Sequence, residues 1–212
     1  MIFYLALIVA LSGTDGAGKT TTVNLLVCKL ARNYGLKVTY HHEFDFLFLR
    51  FLHDKMFRKL RASRRMKTNL LLYLKKGSAL TTYIYDMFLW MDYIIRFIFY
   101  KLKEGIVICD RCVYDHLVFI VEEKRFNTLF LWAIFRILPK PDLIILLDVS
   151  PQVAYRRKKG EERHDISHYI QQRFLFLKLA EIVKPNRIVD SNRVKEEVVE
   201  DCLKTICSFL DK

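Results

Sequence analysis

The sequence predicts an α/β fold in which a five-stranded parallel sheet has helices on both faces. Short apolar runs without polar alternation are typical of strands buried on both sides. Such runs lie at residues 5–11, 37–41, 106–109, 143–147 and 187–189. After the first run, Val23, Leu26 and Leu30 share one helical face, and Gly35 marks the end of that helix. Strands that alternate with helices form parallel sheets, and ligands bind at the carboxyl ends of such strands.

Composition and length favour one domain over residues 1–212. Apolar residues make up 52% of the chain, which suffices for one sizeable core. No repeat, low-complexity tract or flexible linker divides the sequence. The cysteine count of five, an odd number, argues against a disulfide framework and favours a reducing, cytoplasmic setting.

Two apolar segments raise the question of membrane insertion. Residues 1–11 lack a basic flank and are shorter than the roughly 18 residues that a spanning helix needs, so we expect a buried strand. Asp86, Asp92 and Arg96 interrupt residues 83–100, which favours a buried helix. We therefore expect no membrane partner. Because this helix is apolar on nearly every side, a homodimer is expected to cover its second face.

Positive charge is concentrated in one segment. The formal net charge is +12, and residues 50–76 hold ten Lys or Arg residues against one acid, Asp54. Such a field attracts polyanions, which include nucleotides, nucleic acids and acidic membrane surfaces. A solvated helical face is the alternative interpretation of the same segment.

A phosphate-binding loop follows the first predicted strand. Its pattern is G-x-x-x-x-G-K-[ST], and an amphipathic helix follows it, as the motif requires. The loop consists of Gly13, Thr14, Asp15, Gly16, Ala17, Gly18, Lys19 and Thr20, continued by Thr21. Backbone amides and the helix N-terminus attract phosphate, so the loop predicts a bound nucleoside triphosphate. We expect Lys19 at its β and γ phosphates and the Thr20 hydroxyl at Mg²⁺.

A carboxylate and a guanidinium, Asp110 and Arg111, directly follow the third predicted strand. Because the carboxyl ends of parallel strands meet at one edge of the sheet, we expect both beside the phosphate loop. There Asp110 can orient water bound to Mg²⁺, and Arg111 can bind the phosphate of an acceptor in bidentate geometry.

These motifs resemble those of thymidylate kinases. The acidic Asp15 in the loop, the Asp110-Arg111 pair, the segment 141–151 and the basic residues 156–163 are all similar to segments of that family. The resemblance implies a three-layer P-loop nucleotide kinase fold with a lid. It also implies that ATP, with Mg²⁺, phosphorylates a nucleoside monophosphate, dTMP being favoured, to its diphosphate for deoxynucleotide biosynthesis. In the family the acidic loop residue faces the acceptor's sugar, and Asp15 would take this role.

The resemblance implies that the lid supplies the catalytic arginine. The lid covers about residues 155–166. Thymidylate kinases carry this arginine in the phosphate loop or in the lid, and the loop position here holds Gly16. We therefore favour Arg157 and Arg163, with Arg156 in reserve, because fixed cations stabilise the charge of a phosphoryl group in transfer. A solvated basic helix end is the alternative interpretation of any one of them.

Positions that would recognise a thymine base depart from the family pattern. The family has an arginine where this chain has Tyr93, a tyrosine at Cys112, and a Tyr-Gln pair at Phe119 and Ile120. Apolar replacements read mainly the shape of a base, so the preferred base stays open. Phe119 can stack on a base, and Glu43 follows the second strand, which makes both candidates for acceptor binding.

Two other functions are compatible with these residues. A deoxynucleoside kinase would use Glu43 to deprotonate a hydroxyl, although such kinases usually carry Glu-Arg in place of Asp110-Arg111. A nucleic-acid-binding ATPase would use residues 50–76, but no separate recognition module is visible and nucleic acid is not an expected partner. Cys109 and Cys112 have zinc-like spacing without suitable companions, so no zinc site is expected.

Overall fold

The computed structural model describes residues 5–42, 79–122, 137–158 and 164–211. Two compact units divide the chain, one formed by Met1–Glu43 with Tyr100–Lys212 and the other by Phe44–Phe99. The phosphate loop and the pair Asp110-Arg111 belong to the first unit. One domain over residues 1–212 stays a prediction from the sequence.

A five-stranded parallel sheet forms the centre of the first unit. Its strands are β1 (Leu7–Gly13), β2 (Val38–His42), β3 (Ile106–Asp110), β4 (Leu143–Asp148) and β5 (Arg187–Asp190). Their spatial order is β2-β3-β1-β4-β5. Leu11 pairs with Asp110, and Gly13 pairs with Leu147, so the end of β1 lies between the ends of its two neighbours. All five predicted strands are confirmed, with bounds that shift by at most two residues. The expected burial on both sides holds for β1, β3 and β4, whereas β2 and β5 are partly exposed because they are the edge strands of the sheet.

Six helices lie in the described ranges. They are α1 (Lys19–Tyr34), α2 (Ala79–Lys101), α3 (Val113–Glu122), α4 (Pro151–Lys158), α5 (Ile166–Val183) and α6 (Lys195–Leu210). Gly35, at φ 62°, ends α1 as the sequence predicts, because a left-handed residue after a helix is accessible to glycine without strain.

Helices cover both faces of the sheet. Along β4, Ile145 lies in one buried cluster with Leu26 of α1 and Ile206 of α6. The next residue, Leu146, points to the other face and packs with Phe176 of α5. This alternation follows from the two-residue period of a strand. The predicted three-layer α/β architecture is therefore confirmed.

The helix predicted across residues 83–100 is confirmed as α2, most of which belongs to the second unit. Asp92 and Arg96, one turn apart, are both buried and form an ion pair with 2.8 Å between Oδ2 and Nε. Met87 and Ile98, by contrast, are exposed. In the described part of the chain, no helix combines the length and the apolar character needed to cross a membrane.

Candidate active site

The phosphate loop wraps around the ammonium group of its own lysine. Lys19, the first residue of α1, is buried and donates from Nζ to the carbonyl oxygens of Gly13 at 2.5 Å and Thr14 at 2.8 Å. Burial, reinforced by the charge of Arg111, lowers the pKa of Lys19 to about 8. An anion bound at the loop would favour the charged form of the lysine again. The sequence prediction of a lysine that faces the phosphates fits this geometry.

A cavity of about 670 Å³ opens beside the loop. Its walls are formed by residues 15–22, 111, 157–158, 191, 193–196 and 198. This volume lies in the range of cavities that hold nucleotide-sized ligands. Ser191 lines the cavity and donates a hydrogen bond from Oγ to Ala17 O. Arg193, which also lines it, was missed by the sequence analysis.

Gly16 and Arg157 bring helix α4 against the loop. Gly16 has φ 78°, and a Cβ atom there would lie 2.8 Å from the carbonyl oxygen of Ala154. The guanidinium of Arg157 donates to Gly16 O at 3.1 Å and to Ser191 O at 3.0 Å. Any side chain at position 16 would clash with the backbone of α4. This clash is a physical reason why the loop has glycine, and not arginine, at this position.

The other two candidate lid arginines are Arg156 and Arg163. Arg156 is exposed, and its described hydrogen bond, at 3.4 Å, goes to Gln152 O in its own helix. Arg163 lies outside the described residues. Of the two described arginines, Arg157 is the one that lines the cavity.

Thr20 and Asp110 bring together the two oxygen ligands predicted for Mg²⁺. Thr20 Oγ1 donates to Asp110 Oδ2 at 2.5 Å, and His42 Nε2 lies 3.8 Å from the same oxygen. Asp110 is fully buried, and its Oδ1 accepts no hydrogen bond from the described residues. Magnesium prefers oxygen ligands and keeps several waters, so a hydroxyl and a carboxylate beside bound phosphates fit this ion. The described residues include no group of three His, Cys, Asp or Glu side chains placed to hold a metal.

Arg111, which follows β3, forms an ion pair with Asp15 of the phosphate loop. Arg111 Nη2 donates to Asp15 Oδ1 at 2.6 Å. Burial acts to raise the pKa of Asp15, but the charges of Arg111 and Lys19 outweigh it and hold that pKa below its usual value. The paired carboxylate and guanidinium thus line the same cavity as Lys19.

Two side chains near Asp15 and Arg111 were missed by the sequence analysis. Gln172 of α5 is buried, and its Oε1 accepts a hydrogen bond from Asp15 N at 3.1 Å. Asp115, also buried, is the third residue of α3 and accepts hydrogen bonds from Ser12 Oγ and Cys112 N. An acid in the first turn of a helix is a recognisable capping pattern, so the sequence carried a signal for Asp115 but none for Gln172.

The structure neither supports nor contradicts the roles proposed for the residues that would bind the acceptor base. Phe119 lies on α3 with 43% of its surface exposed, whereas its neighbour Ile120 is fully buried. Tyr93 belongs to the second compact unit. Glu43 lies outside the described residues. The roles of Phe119 and Glu43 in acceptor binding therefore stay predictions.

Fold and site together define a class of protein. A parallel sheet with a phosphate loop after β1, and a carboxylate and an arginine after β3, is the arrangement of a P-loop nucleotide kinase. The family model for thymidylate kinase matches residues 11–202, and the chain therefore belongs to the thymidylate kinase family. This confirms the resemblance seen in the motifs, and with it the predicted enzyme class of nucleoside monophosphate kinases.

Individual relatives agree with this assignment. A probable thymidylate kinase of Pyrococcus abyssi is 30% identical over 210 residues, which cover 93% of this chain and 94% of that protein. Another, of Archaeoglobus fulgidus, is 28% identical over 212 residues and 97% of each chain. The crystal structure of thymidylate kinase from Ehrlichia chaffeensis matches with a TM-score of 0.64 and 18% identity, covering 95% of this chain and 98% of that one. The structural match supports the fold alone.

Proposed function

We propose that this chain transfers the γ-phosphoryl group of ATP to dTMP and releases ADP and dTDP, as a step of deoxynucleotide biosynthesis. The observation that carries the proposal is the Arg111–Asp15 pair beside the phosphate loop. It adds a cation for an acceptor phosphate to a site for a triphosphate. The names of the two relatives, both probable thymidylate kinases, support dTMP as the acceptor.

Binding of the two nucleotides uses separate groups. The backbone amides of the loop and Lys19 hold the β and γ phosphates of ATP, whose remainder occupies the cavity that Ser191 and Arg193 line. Arg111 binds the phosphate of dTMP, and Asp15 accepts a hydrogen bond from the sugar hydroxyl of dTMP. Because Arg111 also stays paired with Asp15, it connects the bound dTMP to the phosphate loop.

Phosphoryl transfer itself requires little proton chemistry. An oxygen of the dTMP phosphate attacks the γ phosphorus, the bond from that phosphorus to the β–γ bridging oxygen breaks, and ADP leaves. The attacking phosphate has a second pKa of about 6 and is mostly dianionic at neutral pH, so no general base is needed. Lys19 and the lid arginines Arg157 and Arg163 stabilise the charge on the moving group. Thr20 and, through bound water, Asp110 would hold Mg²⁺, which would supply further positive charge to the phosphate oxygens.

The proposal is tested by turnover with a panel of acceptors. Purified protein is incubated with ATP, MgCl₂ and each common nucleoside monophosphate, and with thymidine, and the nucleotides are separated by chromatography. We expect ADP and dTDP in equal amounts, with dTMP the best acceptor. Faster phosphorylation of thymidine than of dTMP would indicate a deoxynucleoside kinase. ATP hydrolysis that rises on addition of DNA, without any diphosphate product, would indicate the nucleic-acid-binding ATPase.

Two further properties belong to the proposal. The exposed Met87 and Ile98 of α2 support a homodimer, because exposed apolar side chains on one helix favour a partner surface. Light scattering after size-exclusion chromatography tests the dimer, and a Met87→Glu variant should be monomeric.

The five cysteines are all free, which supports a reducing, cytoplasmic location.

A further inference from the structure

A buried carboxylate that the proposed reaction does not use lies beside Arg111. Asp115 of α3 is 6% exposed. Its Oδ2 accepts hydrogen bonds from Ser12 Oγ at 2.7 Å and from Cys112 N at 3.1 Å. Ser12 directly precedes the phosphate loop, and Cys112 directly follows Arg111. One carboxylate therefore joins the end of β1 to the start of α3.

The backbone at Arg111 is in a conformation that needs support. Its φ is 78°, in the left-handed region, which a residue with a Cβ atom adopts only where surrounding contacts hold it. Two contacts do so. The N–H of Arg111 donates to Leu11 O at 2.9 Å, and the next N–H, that of Cys112, donates to Asp115. The carboxylate thus fixes the peptide that carries the guanidinium into the site.

We propose that Asp115 is a positioning residue for the acceptor nucleotide: through Ser12 and Cys112 it holds Arg111 in place beside Asp15. The inference rests on the proposed function, because that function assigns Arg111 to the acceptor phosphate. A simple helix cap would explain the bond to Cys112 and the place of an acid in the first turn. It would not explain the bond from Ser12, which lies on a different element and 103 positions away in the chain.

Two cations of the site, Lys19 and Arg111, lie within electrostatic range of this carboxylate. Burial raises the pKa of Asp115, and the charges of Lys19 and Arg111 act against this rise. Its Oδ1 is buried and accepts no hydrogen bond from the described residues. Substitution of Ser12 by alanine removes the hydrogen bond from Ser12 Oγ to Asp115. The hydrogen bond from Cys112 N, which caps the helix, stays in place.

The decisive variant is therefore Ser12→Ala. We expect the KM for dTMP to rise about fivefold to tenfold, as for the loss of one hydrogen bond to a charged group, with the KM for ATP unchanged within about twofold. Asp115→Ala should raise the KM for dTMP further. Asp115→Asn keeps a side-chain oxygen that can accept both hydrogen bonds, and it should restore the KM for dTMP to within about threefold of the wild type.

A matched control separates positioning from a general loss of stability. Asn186 Oδ1 accepts a hydrogen bond from Ile144 N at 2.8 Å at the amino end of β4. Asn186→Ala thus removes one side-chain hydrogen bond far from the carboxyl ends of the strands, and the KM for dTMP should not change. In an Arg111→Ala background, Ser12→Ala should add no further increase, because the contact acts through the guanidinium.

Three results would overturn the inference: an unchanged KM for dTMP in Ser12→Ala, an equal rise in Asn186→Ala, or a full additional rise in the Arg111→Ala background. Calorimetric titration with dTMP in the absence of ATP makes the same comparison without turnover. A wild type that binds dTMP but forms no dTDP would therefore refute the proposed function alone. An unchanged dTMP affinity in Ser12→Ala would refute the inference alone.

Discussion

Thr20 donates a hydrogen bond to Asp110 across 2.5 Å, although the two residues are 90 positions apart in the chain. They meet because β1 and β3 are neighbours in the sheet and end at the same edge. The hydroxyl belongs to the phosphate loop, which we propose binds ATP, and the carboxylate ends the strand that leads into Arg111, which we propose binds the acceptor phosphate. Thr20 and Asp110 would therefore be able to hold Mg²⁺ together beside the phosphate loop.

Replacement of Asp110 by Asn should uncouple metal binding from nucleotide binding. The amide keeps the shape of the side chain but lacks the negative charge that we propose helps to hold Mg²⁺. We expect kcat to fall about 100-fold and the Mg²⁺ concentration at half-maximal rate to rise. Titration of MgCl₂ at saturating ATP and dTMP measures both. Asp142→Asn is the control, because Asp142 pairs with Lys101 away from the loop, and the variant should retain the wild-type Mg²⁺ dependence.

The lowered pKa of Lys19 predicts a pH dependence of ATP affinity. Below about pH 8 the lysine is charged before ATP binds, so affinity should be constant. Above that pH the free protein must take up a proton to bind ATP, and affinity should fall by up to about tenfold per pH unit. Calorimetric titration with ATP and Mg²⁺ between about pH 7 and about pH 9.5 measures this slope.

Lys19→Arg supplies the control for this prediction, since arginine stays protonated over the whole range. Its ATP affinity should be independent of pH, and a slope equal to that of the wild type would assign the titration to another group. Lys19→Ala should lower kcat by about 100-fold or more, because the phosphate loop then loses its buried cation.

The fold was predictable where it depends on local pattern. Each buried strand is an apolar run, and the glycine that ends α1 is visible in the sequence. The strand order β2-β3-β1-β4-β5 was not predicted, because it depends on pairing between segments distant in the chain. Hydrophobic periodicity describes one segment at a time and does not say which segments become neighbours.

The candidate site divides in the same way. Lys19, Thr20 and Asp110 were found because a motif or a strand end places them. Gln172 was missed, because its role depends on how α5 is rotated toward the loop, and only its contact with Asp15 N reveals it. A polar residue in a helix has many possible partners, and tertiary packing selects among them.

Introduction of a methyl group at Gly16 should disturb the loop and α4 together. An alanine there would adopt φ 78° at a cost of about 1–2 kcal/mol, and its Cβ would lie 2.8 Å from Ala154 O. We expect Gly16→Ala to weaken ATP binding at least tenfold, which corresponds to about 1.4 kcal/mol. Gly35→Ala is the control: its φ is also positive, but a Cβ there meets no atom within 4 Å. That variant should lose some thermal stability and keep its ATP affinity.

Arg111 should govern the acceptor more than the donor. Removal of its side chain in Arg111→Ala deletes the cation proposed for the dTMP phosphate and leaves Asp15 with the more distant Lys19, 4.0 Å away, as its described ion-pair partner. We expect the KM for dTMP to rise about 100-fold, as for the loss of a bidentate charged contact, with a much smaller change in the KM for ATP. Arg111→Lys should recover only part of this, because lysine cannot bind bidentately. Equal losses for both nucleotides in steady-state kinetics would contradict the assignment.

Neighbouring arginines on α4 provide a matched test of the lid. Arg157 contacts Gly16 O and Ser191 O at the cavity, whereas the described hydrogen bond of Arg156 lies within its own helix. Arg157→Ala should lower kcat about 100-fold, because a cation that stabilises the moving phosphoryl group is lost. Arg156→Ala removes the same charge from the same helix and should stay within about twofold of the wild type.

Arg163→Ala completes the comparison between the lid arginines. The proposed function gives both arginines a role at the moving phosphoryl group, so Arg163→Ala should also lower kcat. A variant that instead raises only the KM for ATP would assign its arginine to closing the cavity. The two patterns differ in single-turnover experiments, where the chemical step is measured apart from binding. Similar rates for Arg157→Ala and Arg156→Ala would remove Arg157 from the catalytic group, because its contacts with the loop would then have no consequence for transfer.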